Sequence, residues 1–478
     1  MNKFIGFVFI ALFSATGTLS AFEVKYRIYP AGTDAVLRFK AVSQWAEKWL
    51  ESAETFLKEG KNKNIRKGKD FSPVGYFRVD RRYSDSEDVR PNTVPEPLDF
   101  KIENKEILVK VKLTGENFHY IIFSQLPVPE KGQRNLRCIK LMTLNEDAFK
   151  LRPFRGNLHQ HSRFSDGKFE PEEHIFYARV AGFDFIGLSD HGRYTQNAGI
   201  IKAAADSKSG LTVYPAEELH TPGTILHGLS IGASKAHSHW NRTAKWMKEV
   251  NPVMEEIRKK YPTLPDSEIL PWAESLIVAK RAKDDGALLV YCHPAWHLRY
   301  YLNNSRRMSD FMIRSGAFDV VEVINGSMFG KSGRENAEVL AQFHEICVEL
   351  GKKIPVMSSS DSHNVSSPAY SRNYNVIFAA DCTFPSFKAA FKEGRSVASY
   401  NLGEKISYPL NLGPFRFVCY ANFLDEIGFW HKQLKYTKQQ STLIMKYLKG
   451  DKSVIPEIQK LNDKIAEYRE SIYYKSEK

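Results

Sequence analysis

"GNLHQHSRFSDG" (residues 156–167) sets two histidines one residue apart and follows them with Ser-Asp-Gly. In an extended chain, residues i and i+2 share a face. His159 and His161 then project side by side from a strand end, and Asp166 can fold back from the loop. Two imidazoles and a carboxylate at one place suit a divalent metal. A lone pair of this kind arises easily by chance as exposed loop histidines, so the rest of the chain has to supply the missing ligands.

It supplies them in a repeating pattern. "FDFIGLSDHG" (183–192), "LTVYPAEELH" (211–220), "GALLVYCHPAW" (286–296), "FDVVEVING" (318–326) and "KKIPVMSSSDSH" (352–363) are short apolar runs that end in polar residues. Helical stretches separate them: "EPEEHIFYARVAG", "SEILPWAESLIVAKRAKDDG" and "NAEVLAQFHEICVELG". Repeated βα units with polar strand ends predict a parallel barrel whose site lies at that rim. The strand-end residues are His159, His161, Asp190, His191, Glu218, His227, His293, Asp361 and His363. Side chains of N and O type in that number suit two or three divalent ions such as Zn, Mn or Fe, with a carboxylate able to bridge two of them.

Outward from this core the chain changes character. Residues 22–150 contain alternating runs, "FEVKYRIYP" and "FKIENKEILVKVKLTGENFHYIIFSQL", with the helical "AVSQWAEKWLESAETFLKEG" between them. They predict a β-rich accessory domain. Residues 401–478 predict a helical segment, where Ile458, Leu461, Ile465, Tyr468 and Ile472 form a stripe to be buried on the barrel. Residues 1–21 read as an export signal: Lys3, the apolar "FIGFVFIALF", then the small residues of "SATGTLSA". The expectation is a periplasmic or extracellular protein with no transmembrane span after cleavage.

The 478 residues are 42% hydrophobic and 13% aromatic, enough for a large core and unlike a disordered chain. The five cysteines are scattered and make no disulfide framework; Cys292 and Cys347 read as buried thiols. The formal charge of +13 draws anionic partners, but no dense Lys/Arg tract marks a nucleic-acid binder.

Six stretches in order resemble the PHP domain, named for DNA polymerase and histidinol phosphatase: "FRGNLHQHSRFSDG", "AGFDFIGLSDHG", "VYPAEELHTPGTILHGLSIG", "GALLVYCHPAW", "FDVVEVING" and "IPVMSSSDSHN". "FKAAFKEGRSVASY" resembles the family's closing helix and strand, so the resemblance covers most of residues 152–400 and places the domain at 151–400. It implies a distorted seven-stranded β/α barrel with a trinuclear metal centre. His159, His161, Glu218 and Asp361 would hold the first metal. Glu218 would bridge to a second, completed by His227 and His293. Asp166, His191 and His363 would hold the third. The family's Pro-Gly-x-Glu pattern reads Pro215-Ala216-Glu217-Glu218 here, so Glu217 competes with Glu218, and spacing from Pro215 favours Glu218. His220 competes with His227, whose "ILHGLSIG" context is the more similar.

Clustered divalent metals lower the pKa of a bound water and bind phosphoryl oxygens. The expected activity is metal-dependent hydrolysis of phosphate esters by a metal-activated hydroxide, with Glu218, Asp361 and His191 central to the chemistry. The alternatives are hydrolysis of another ester or an amide, and an exported binding module with structural metals. Arg163, Arg193, Lys331 and Arg334, expected on loops beside the ligand strands, are candidates for gripping substrate phosphate through paired hydrogen bonds or charge. "WHLRYYLNNSRRMSDF" (296–311) could cover the mouth. The expected partner is a small phosphorylated substrate, without a stable nucleic-acid complex.

Overall fold

The chain separates into two compact units, Met1–Phe149 with Glu470–Lys478, and Lys150–Arg469. The computed structural model describes residues 21–58, 76–85, 96–126, 136–222, 226–296, 305–402 and 409–476. Most of the expected export signal lies outside the described residues. Among the described residues no helix is long and apolar enough to cross a membrane.

Alternation builds the first unit. Its elements are β1 (Phe22–Val24), β2 (Ile28–Pro30), β3 (Thr33–Ala41), α1 (Gln44–Lys58), β4 (Tyr76–Asp85), β5 (Glu96–Pro97), β6 (Phe100–Glu103), β7 (Glu106–Leu113), β8 (Asn117–Leu126), β9 (Leu136–Leu144) and α2 (Glu146–Phe149). One sheet runs β1-β3-β7-β6 and the other β2-β9-β8-β4-β5. Along β3, Ala35, Leu37 and Phe39 are buried while Asp34, Val36 and Arg38 are exposed, the period-2 pattern of a sheet with one wet face. The buried side chains join Phe22, Trp49, Ile107, Val109, Ile121 and Phe123 in one core shared by both sheets and α1.

The second unit is mixed α/β around a ten-stranded sheet. Its strands are β10 (Arg152–Asn157), β11 (Phe185–Leu188), β12 (Thr212–Leu219), β13 (Gly228–Ile231), β14 (Leu288–Tyr291), β15 (Val320–Asn325), β16 (Val356–Ser359), β17 (Asn373–Ala379), β18 (Ser396–Tyr400) and β19 (Leu410–Leu412). Their order is β16-β15-β14-β13-β12-β11-β10-β17-β18-β19. Strands β11 and β13 to β18 are almost wholly buried on both faces, which accounts for apolar runs such as those of β11 and β14, while β10 and β12 keep half-buried positions. The sheet is nearly closed, with β16 lying against β17 and β18. Side chains make much of that seam. Asn375 Oδ1 accepts from Ser358 N (2.9 Å) and its Nδ2 donates to Ser358 O (2.8 Å), so one amide imitates a strand partner.

The sheet departs from the parallel barrel expected from the βα repeats. β12–β13, β13–β14, β10–β17, β17–β18 and β18–β19 are antiparallel. A parallel crossover needs a dozen or more residues, and only residues 220–227 separate β12 from β13, so that strand has to turn back. The C-terminal part is helical, as expected, with three helices: α10 (Phe415–Glu426), α11 (Phe429–Leu448) and α12 (Ile455–Ser471). Ile458, Leu461 and Ile465 are buried, as their spacing predicts. No disulfide joins the described cysteines; Cys292 is buried and Cys347 half-buried.

Candidate metal centre

The reversal of β13 places its first residues at the same rim as the last residues of its neighbours. Gly228 pairs with Leu219 on one side and Tyr291 on the other. His227, just before β13, therefore stands with His220, just after β12, and with Cys292 and His293, just after β14. His293 (φ 26°) and Asp361 (φ 47°) hold left-handed backbone, which for a non-glycine residue costs on the order of 1–3 kcal/mol and tends to gather at functional sites.

Glu218 is the hub. Its Oε2 lies 3.2 Å from His159 Nε2, 3.4 Å from His161 Nε2 and 2.9 Å from His191 Nδ1. Its Oε1 lies 2.7 Å from His227 Nδ1 and 3.2 Å from His293 Nε2. Asp361 Oδ1 lies 3.3 Å from His159 Nε2 and 3.0 Å from His161 Nε2. Burial alone would raise the Glu218 carboxyl, but His227 and His159 beside it hold it well below the usual carboxylate range. Asp361, likewise buried, is held down by His159 and His161. Burial alone would lower His159, yet Asp361, Glu218 and Glu322 raise it well above an ordinary imidazole.

Asp166 returns to the cluster as the opening stretch predicts. Asp190 explains how. Its carboxylate accepts from Ser162 N (2.7 Å), Ser162 Oγ (2.7 Å) and Ser165 Oγ (2.6 Å), pinning the loop after His161. Gly167 lets the loop close, because a Cβ there would sit 2.1 Å from the His161 carbonyl oxygen. Asp166 Oδ2 then lies 3.1 Å from His363 Nε2 and 3.5 Å from His191 Nε2. Asp190 itself is committed to the loop and does not join the cluster.

Four overlapping groups of atoms could each hold an ion: His159, His161, Glu218 and Asp361; His191, Glu218, His220 and His227; His161, Asp166, His191 and His363; and His159, Cys292 and Glu322. The donors also fit a metal by what they lack. His159 Nε2, His161 Nδ1, His227 Nδ1 and Glu218 Oε2 are buried and, despite the short approaches to charged neighbours, make no aligned hydrogen bond. Unpaired buried polar atoms are costly, and here they converge within reach of one another.

The two contested positions resolve differently. Glu217 points away from the cluster and accepts from His237 N (2.8 Å) and Ser238 N (3.0 Å). His220 stays beside the cluster, its Nε2 2.7 Å from His191 Nδ1 and its ring stacked on Trp240. Burial lowers His220 to about 3, so it is a neutral imidazole. Glu322, absent from the sequence-based ligand set, lies under His159, with Nδ1 of that ring 3.1 Å from its Oε1. Of the four cationic candidates, Arg163 pairs with Glu170 and Lys331 with Glu335. Lys331 and Arg334 lie in the first turns of α8 (Gly330–Leu350), not on a loop, because Asn336 ties that helix back to Asn325 and Ser327. Arg193 and Arg334 are exposed and pair with no carboxylate among the described residues. Residues 297–304 of the stretch expected to cover the mouth lie outside the described residues.

No protein-family model and no curated protein matches the chain. Solved structures do match. They include PHP-like metal-dependent phosphoesterases and endonuclease Q. A two-domain protein from Bacteroides vulgatus described as containing a PHP-like metal-dependent phosphoesterase is 18% identical, with a TM-score of 0.37 over 53% of this chain and 66% of that one. Endonuclease Q from Pyrococcus furiosus is 16% identical, with a TM-score of 0.29 over 50% of this chain and 56% of that one. This chain thus spans just under two thirds of the first protein's length. Endonuclease Q is also seen with a 27-mer duplex whose abasic lesion sits at the active site, at a TM-score of 0.29. DNA binding by that protein runs against the expectation of no nucleic-acid complex, but at this score it transfers nothing to this chain.

Proposed function

We propose that the second unit is a metal-dependent hydrolase of phosphate esters, acting at a centre of two to three divalent ions. The observation that carries this reading is the convergence of buried, unpartnered imidazole nitrogens on one carboxylate held ionised, Glu218. His159, His161, Glu218 and Asp361 would hold one ion, Glu218 with His227 and His293 a second, and Asp166, His191 and His363 a third. His220 is near enough to share the second position. Divalent ions there would supply an activated water at neutral pH and charge to offset that of the phosphoryl oxygens. The chain's own residues do the rest. Glu218 and Asp361, held below the usual carboxylate range, would hold the ions as carboxylates. His191, between Glu218 and Asp166, spans two positions. Arg193, two residues from His191 and without an acidic partner among the described residues, is free to meet the anionic end of a substrate. We also infer export, with a mature chain beginning near residue 22, which N-terminal sequencing from the native cell envelope checks.

The test is a panel of chromogenic esters offered to purified protein with Mn or Zn. Release from phosphate mono- or diesters is expected, lost on chelation and restored by metal. Inactivity toward every phosphate ester would overturn the reading, and faster cleavage of a carboxylic ester or amide would replace it with the alternative hydrolysis.

A further inference from the structure

Glu322 is a carboxylate inside an apolar strand, β15, whose neighbours Val321, Val323 and Ile324 are buried. It is itself about 1% exposed. A buried carboxylate is costly unless its lone pairs are used. Here both oxygens meet donors. Oε1 accepts from Ser359 Oγ and lies 3.1 Å from His159 Nδ1. Oε2 accepts from His293 N (2.7 Å) and Asn325 Nδ2 (2.9 Å).

Those partners are telling. His159 and His293 belong to two different metal positions in the proposed centre. The N–H of His293 is held at a strained left-handed turn. Asn325 Nδ2 also reaches Asp361 Oδ2, at 3.5 Å. One carboxylate thus touches, directly or through Asn325, three of the residues that surround Glu218. His159 has two ring nitrogens. Nδ1 faces Glu322, whereas Nε2 faces Glu218 and Asp361 and has no hydrogen-bond partner.

We infer that Glu322 is a positioning residue of the metal centre: it holds His159 with a proton on Nδ1, so that the Nε2 lone pair faces the first metal position. A carboxylate can only accept from Nδ1, which fixes the proton there. Metal-bound histidines generally depend on such a partner for ring orientation and basicity. Glu322 could otherwise be a ligand, since His159, Cys292 and Glu322 form a compact group of their own. Its bonds argue against that, because a ligand role would strip an acceptor from His293 N and Asn325. Cys292 is no better placed, as burial pushes its thiol well up.

The inference rests on the metal-centre reading, and the experiment separates the two. Zn binding is measured on the full chain by titration calorimetry for wild type, Glu322→Gln, His159→Ala and the double variant. Glu322→Gln replaces one acceptor oxygen with a donor amide. It is expected to weaken the first metal position roughly 10- to 100-fold. In the His159→Ala background the same change should alter affinity less than about threefold, since a residue acting through His159 has nothing left to act on. Ser359→Ala removes a donor to Glu322 without touching His159; it should lower metal-free thermal stability and leave affinity nearly unchanged. Glu322→Asp, one methylene short of His159, runs through the same cycle, so the inference can still be overturned if the Gln variant does not fold. Unchanged affinity in a folded variant, or an undiminished effect without His159, overturns the inference. Wild type that binds Zn but hydrolyses no phosphate ester overturns the proposed activity alone. Wild type that binds no metal overturns both.

Discussion

Adjacent glutamates in β12 have opposite fates because successive side chains on a strand point to opposite faces. Glu218 meets five imidazoles, and Glu217 caps the backbone of residues 237–238. Glu218→Gln is expected to cost at least about a hundredfold in metal-dependent turnover and to lower bound metal by elemental analysis. Glu217→Gln should keep its metal and lose thermal stability instead. The reverse result would mean that the strand register is misassigned. His227 and His220 are not such a pair. Both reach the cluster, so His227→Ala and His220→Ala should each reduce metal content, where the sequence favoured His227 alone. Most of the ligand-type residues were legible because they end apolar runs; Asp166 was legible from its loop beside His161 and His227 from the turn before β13. Glu322 carried a signal too, a charge amid valines in "VVEVIN", but a lone carboxylate in a strand does not name its partners. Asp190 misleads for the same reason: it is adjacent to His191 in sequence, yet its oxygens are spent on Ser162 and Ser165.

At the scale of elements, the apolar runs marked the strands of the sheet and the helical spacing of "NAEVLAQFHEICVELG" marked α8, but direction followed from loop length. The short link before β13 makes it antiparallel, and that reversal delivers His227 to the rim. Closure near β16 and β17 depends on Asn375, a residue that reads as an ordinary polar member of "NYNVIFAA". Its amide satisfies both the N–H and the C=O of Ser358. Asn375→Ala would leave two buried backbone groups unpaired, a loss on the order of 3 kcal/mol. Urea denaturation should show a lower midpoint with an unchanged slope. A midpoint within error of wild type would mean that water or a neighbour takes over the seam.

For the whole second unit, stability should carry a pH signature away from the metal centre. Asp425 lies in a cleft of about 630 Å³ with Arg155, Tyr374 and Trp430. Burial raises its carboxyl to about 7, against the opposing pull of Asn411 and Arg155. The folded chain then keeps a proton that the unfolded chain releases near pH 4. Its contribution is complete below about pH 4 and is lost as pH rises through about 7. Asp425→Asn should remove that slope. The thermal midpoints of the two proteins should converge toward pH 4 and diverge by pH 8, with the variant the more stable. Parallel curves across that range would show that Asp425 ionises freely in the fold.

Local rules were enough for much of this protein. Period-2 alternation and apolar runs with polar ends identify most strands, and the residue types at those ends identify an N/O metal chemistry, because both depend only on neighbours along the chain. The strand count, the mixed direction of the sheet and the identity of the residues that merely support the cluster depend on groups far apart in sequence. Glu322 and His159 are 163 residues apart, and Asn157 and Ser360 203. Such pairs form only when the sheet curls round on itself, and a hydrogen bond made there leaves no periodic trace in either segment. Only the tertiary structure could tell Glu218 from Glu217 by what each oxygen touches, and keep His220 in the site alongside His227.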